Sequence, residues 1–147
     1  MLPKGRKGIA LMIVHPGSRT RALYLWESDD LRRRQGVRQI DTYEAYSLPA
    51  RFMLWNGGVR GVHKIPHVRI RNLKGDPACY GRTLIVLTYK DHLNITLVHE
   101  LVHALGYGSD RNPHSRGFIL RYIDALVWCF NWDADELRLQ AHQWRLI

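Results

Sequence analysis

His99-Glu100-Leu101-Val102-His103 sets two imidazoles four residues apart with a carboxylate between them. On an α-helix that spacing stacks both rings on one face, one turn apart, within reach of a single metal ion. The intervening Glu can polarise a metal-held water, which is the chemistry of metal-assisted hydrolysis. Leu97, Val98, Leu101, Val102 and Leu105 crowd the segment and predict a buried helix that holds the rings rigidly, and Gly106 reads as its stop.

A catalytic zinc takes three protein ligands and leaves one position open. Beyond Gly106 the chain runs Tyr107-Gly108-Ser109-Asp110-Arg111-Asn112-Pro113 into His114. Two glycines and a proline turn this loop sharply, so His114 can fold back to the helix end as third ligand. Asp110 stands second. Glu136 and His142 in the C-terminal segment are weaker choices, and His92 reads as a cap of the metal-bearing helix. Ser115 reads as the N-cap of a helix with Phe118, Ile119, Tyr122, Ile123, Leu126 and Val127 on its apolar side.

The combination His99-Glu100-x-x-His103 followed by His114-x-x-x-Phe118 resembles the compact zincins of the SprT-like and WLM types. More closely, Tyr80-Gly81 through Ile85, then Leu97 to Leu105, then His114 to Tyr122 resemble small uncharacterised actinobacterial and phage metallohydrolases of the same superfamily. The likeness spans about residues 78–127, and Arg21-x-Leu23-Tyr24-x-Trp26-Glu27 extends it. It implies His99, His103 and His114 as zinc ligands and Glu100 as the catalytic acid/base. The chain departs at Ser115-Arg116, where those relatives often carry Gly-Pro. Other zincin patterns fit worse: the third histidine of a metzincin would fall at Ser109, and a gluzincin acid would have to be Asp124, far along the next helix.

In the mechanism this implies, one Zn2+ per chain acidifies water and polarises a carbonyl, while Glu100 moves the proton to the leaving amine. Tyr107 and Tyr122 are the nearest donors in sequence for the developing oxyanion. Asp110, Asp124 and backbone carbonyls are available to receive the second ring nitrogens of the ligands.

The elements that must position this site come from 147 residues, enough for one domain with a real core. Residues 1–8 read as a flexible basic tail and 9–147 as a single domain. Ile9 to Val14 reads as a strand and His15 to Ser18 as a turn. Arg19 to Glu27 is open between helix and strand, and Ser28-Asp29-Asp30 reads as a cap before Leu31. Thr42 to Asn56 reads as a helix interrupted at Pro49, closed by Asn56-Gly57-Gly58. Val62 to Leu73 alternates apolar and basic residues, a half-buried strand with a basic outer face, with His63 and His67 exposed beside Pro66. Ala78 to Tyr80, Gly81-Arg82 and Thr83 to Thr88 read as a hairpin into an apolar strand. The expected fold is α+β: a short antiparallel sheet packed on the HExxH helix, with flanking helices, in a small zincin-like domain.

Charge is unevenly spread. Residues 1–74 carry 15 Lys/Arg against 5 Asp/Glu, a net +10, whereas residues 75–147 carry 7 against 8, a net −1. The basic half suits a polyanion such as nucleic acid, with Arg32, Arg33, Arg34, Arg69 and Arg71 as phosphate contacts. Trp26, Tyr43, Tyr46 and Trp55 lie among arginines, and they either stack bases or pack in the core. Cys79 and Cys129 are in no metal-binding spacing and read as reduced, buried thiols. No apolar run is long enough to span a membrane, and Ile9 to Val14 is too short for a signal-peptide core, which leads to the expectation of a cytoplasmic protein of a bacterium or phage-infected host.

These features give one leading expectation and two rivals. The leading one is a zinc metallopeptidase acting on protein or peptide, with nucleic acid held by the basic half as SprT-like proteases do. The rivals are a basic nucleic-acid-binding module with a structural zinc, and an interaction protein that needs no metal.

Overall fold

A computed structural model describes residues 19–56 and 64–147. The tail, the strand at Ile9 to Val14, the turn at His15 to Ser18, Gly57-Gly58 and His63 lie outside the described residues. The described residues group into two compact units, 38–56 with 64–106, and 19–37 with 107–147.

The first unit is α+β. Helix α2, Thr42–Trp55, opens on a capping box in which Asp41 accepts from the Glu44 N–H and the Glu44 carboxylate accepts from the Asp41 N–H. It is not interrupted at Pro49. The proline sits inside a continuous helix, because Leu48, Phe52 and Met53 are buried on either side of it and Pro49 is buried with them. The burial of this shared face outweighs the hydrogen bond the proline cannot donate.

Strands β1 (His67–Arg71), β2 (Ala78–Tyr80) and β3 (Leu84–Thr88) form a sheet in the order β1-β3-β2. The expected antiparallel sheet is in fact mixed: β2 pairs antiparallel with β3, but β1 runs parallel to β3. The arrangement puts β3, the most apolar strand, in the centre, where Ile85, Val86, Leu87 and Thr88 are all buried. Gly81 and Arg82 make the β2–β3 turn with φ of 58° and 63°, and the Thr83 N–H closes it on the Tyr80 carbonyl.

Helix α3, Asn94–Ala104, carries His99, Glu100 and His103, and nine of its eleven residues are buried. Its start is strapped down by residues 38–40. The Asn94 side chain accepts from the Arg38 N–H, the Asn94 N–H donates to the Arg38 carbonyl, and the Ile40 N–H donates to the His92 carbonyl. His92 is not a cap: Leu93 holds that position without a side-chain bond, and His92 Nδ1 lies 3.1 Å from the Thr88 and Tyr89 carbonyls. At the other end Gly106 has φ +96°, and a Cβ there would come within 3.0 Å of the Arg82 guanidinium, so this stop needs glycine.

The second unit is helical. Helix α1, Arg19–Trp26, runs straight into a π-turn at Glu27–Leu31. The expected cap at Ser28-Asp29-Asp30 is absent, since the Ser28 hydroxyl donates back to the Tyr24 carbonyl and the helix continues through it. Ser115 caps α4, Arg116–Phe130, as the sequence implies, and Asn131 ends it in the left-handed conformation. Asp133 caps α5, Ala134–Gln143. Trp26 and Trp144 are fully buried, and their ring N–H groups donate to Gln140 and Asp30. No described helix is long and apolar enough to cross a membrane.

Candidate metal centre

His99 and His103 project from one face of α3 with ring centroids 5.1 Å apart. His99 and Glu100 are buried, and His103 is half-buried. Glu100 Oε2 lies 3.9 Å from His99 Nε2. The dense apolar packing of Leu97, Val98, Leu101 and Val102 leaves these side chains little freedom.

Glu100 also reaches the sheet. Cys79 on β2 is half-buried, and its thiol is pushed up to about 11 by burial first and by the Glu100 charge second, with Arg82 opposing in part. Neither cysteine is in a disulfide, and each is half-buried rather than in the core.

His114 precedes α4 and is 3% exposed. Its loop is shaped by Gly108, at φ +85°, where a Cβ would fall 2.0 Å from the Pro113 carbonyl oxygen. The Ser109 N–H donates to the Asn112 carbonyl, and the Asn112 N–H donates to the Ser109 hydroxyl. Thr20 Oγ1 lies 2.9 Å from His114 Nδ1. The Tyr24 and Phe118 rings meet the imidazole edge-on at 5.7 and 5.0 Å. With Nδ1–H donating to Thr20, Nε2 keeps its lone pair for a metal.

One ligand nitrogen from each of His99, His103 and His114 falls within 4.8 Å of the others. Three imidazoles are a donor set suited to zinc and other borderline transition metals, and a three-ligand set leaves room for a further ligand. The donor chemistry therefore fits the ion implied by the sequence.

The other proposed ligands are elsewhere. Asp110 and His142 are exposed and stand outside this group. Glu136 pairs with Arg34 at 3.0 Å. Asp124, the gluzincin alternative, lies 3.8 Å from both Arg121 and Arg138. Of the two oxyanion candidates, Tyr107 is exposed, whereas the buried Tyr122 donates its hydroxyl proton to Glu27 Oε2 at 2.7 Å.

The proposed phosphate contacts separate into two kinds. Arg34 is held at Glu136 and stacks over Trp132, so its role in this structure is packing. Arg33 pairs with Asp30 at 3.0 Å, and Arg32 is exposed. Arg69 and Arg71 both point outward from β1, as the alternation implies. Trp26 is core, while Tyr43 and Tyr46 are exposed.

Thr20, Glu27 and Cys79 escaped the sequence reading. Thr20, Tyr24 and Glu27 recur at i, i+4 and i+7, so reading residues 19–27 as a helix would have grouped them on one face. Nothing in the local pattern of Cys79 points to Glu100.

Comparison of the chain with family profiles, curated proteins and solved structures returns no match.

Proposed function

We propose that the chain is a zinc-dependent metallohydrolase that cleaves peptide bonds. The observation that carries this reading is the gathering of His99, His103 and His114 around one point, with the buried Glu100 beside His99. His99, His103 and His114 would hold the ion. When bound, zinc supplies a Lewis acid and water acidified to a pKa of about 7.

Glu100 takes up the proton released from water and delivers it to the leaving amine. Its burial in an apolar helix keeps it oriented and shields the proton transfer from bulk water. Thr20 fixes the His114 ring. Tyr107, exposed at the start of the loop to His114, is the oxyanion donor we assign, and Tyr122 could serve only by releasing Glu27. The peptide preference is supported by β2, an edge strand among the described residues that packs on the helix bearing Glu100. An extended chain can add to such an edge through its backbone. The proposed setting is the cytoplasm of a bacterium or phage-infected cell.

The test is Glu100→Gln assayed on an unfolded protein substrate such as casein, with zinc loading measured in parallel. The variant should keep its metal and lose turnover by at least about 100-fold, in line with the contribution of a general base. Full activity in Glu100→Gln, or no cleavage by zinc-loaded wild type, contradicts the reading.

A further inference from the structure

Cross-strand pairing sorts the sheet residues into two faces. Cys79, Ile85 and Val68 are paired in one row, and Leu87 and Ile70 in the next. Ile85 and Leu87 are fully buried and α3 packs on β2 and β3, so this face belongs to the HExxH helix. On the opposite face the rows are Tyr80-Leu84-His67, Ala78-Val86-Arg69 and Thr88-Arg71. Here Val86 and Thr88 form a buried floor, while His67, Arg69, Arg71 and Tyr80 stand out into solvent.

The charge of this region is one-sided. Residues 67–90 carry Arg69, Arg71, Lys74, Arg82 and Lys90 against a single acid, Asp76. Among the described residues, neither Arg69 nor Arg71 has an acidic partner. Two arginines two positions apart on one strand repeat at about 7 Å, and Tyr80 stands across β3 from His67, two strands away at about 10 Å and about 12 Å from Arg69. Tyr80 is 58% exposed, an open ring beside a cationic row.

We propose that this outer sheet face binds single-stranded nucleic acid. Arg69 and Arg71 contact successive phosphates and Tyr80 stacks an unpaired base. Guanidinium groups track a backbone, an exposed ring accepts any base, and the combination is sequence-tolerant. A sheet face offers no helix for a duplex groove, whereas unpaired bases can lie on it. The inference stands apart from the metal reading, because its residues lie on the face turned away from α3.

The experiment is fluorescence anisotropy of the full chain with a labelled 20-nucleotide oligo(dT), a mixed-sequence RNA of equal length and a duplex. Each is measured at 50 and 200 mM salt, with and without zinc. Wild type should bind the single strands more tightly than the duplex, equally well without zinc. Arg69→Ala combined with Arg71→Ala should weaken binding at least about 10-fold and lower the salt slope by about 1.4, the amount expected for two lost phosphate contacts. Tyr80→Ala should weaken binding about 5- to 150-fold and leave the slope unchanged. Unaltered thermal melting of these surface variants shows that the fold is intact. Absence of binding at 50 mM salt, tighter binding to duplex, undiminished binding by the variants, or loss only in Arg32→Ala with Arg33→Ala would overturn the proposal. Binding that persists while zinc fails to load would overturn the metal reading alone.

Discussion

Thr20 Oγ1 sits 2.9 Å from His114 Nδ1, so a hydroxyl on α1 orients the one imidazole of the three-histidine group that does not come from the HExxH helix. Ring orientation is worth affinity, because a ligand whose second nitrogen has no acceptor can rotate or change tautomer. Thr20→Val keeps the shape and removes the acceptor. It should weaken zinc binding by about 10- to 100-fold in competition with a chromophoric chelator, and Thr20→Ser should restore most of it. Equal affinity in Thr20→Val would make the contact incidental.

The loop before His114 supplies a second handle on the same residue. Gly108 is at φ +85° with the Pro113 carbonyl where a Cβ would be, so Gly108→Ala must reshape the turn. The expected outcome is weaker zinc binding with an unchanged helical circular-dichroism signal, since both HExxH histidines lie on α3. A variant that binds zinc like wild type would show that His114 is placed without this turn.

Tyr122 is fully buried and donates to Glu27 across 2.7 Å. Tyr122→Phe deprives a carboxylate of a donor in the core of the helical unit. A stability loss of about 1–3 kcal/mol is expected by chemical denaturation. A neutral result would mean that Glu27 is satisfied by its other contacts.

Cys79 gives the sheet a pH signature. Its folded thiol titrates near 11 because of burial and the Glu100 charge, against about 8.5 in an unfolded chain. The folded state therefore holds this proton more tightly, and stability should fall as pH rises from about 8.5 towards 11. Alkylation of Cys79 should accelerate only near pH 11. Glu100→Gln should bring that acceleration to lower pH. An unchanged profile in the variant would separate Cys79 from Glu100.

What could be read from sequence was local. The HExxH helix announces itself through its apolar residues and Gly106, the β2–β3 hairpin through Gly81-Arg82, and α4 through Ser115. The grouping of His114 with His99 and His103 followed from the turn residues before it. Pairings between distant segments were illegible. The direction of β1 depends on its choosing β3 rather than β2, and that choice is made by burying β3 on both sides. The contact of Thr20 with His114 spans 94 residues, so no local pattern encodes it. Pro49 misled because helix propensity is a weak term beside the burial of Phe52 and Met53.

Zinc content is the direct readout of whether His99, His103 and His114 hold one metal ion. Wild type and His114→Ala are purified, reconstituted with zinc, freed of loose ion and analysed for metal by mass spectrometry, with circular dichroism as the check on folding. About one zinc per wild-type chain is expected, with loss or sharp weakening in the folded variant. Zinc absent from reconstituted wild type, or bound as tightly by His114→Ala, would contradict it.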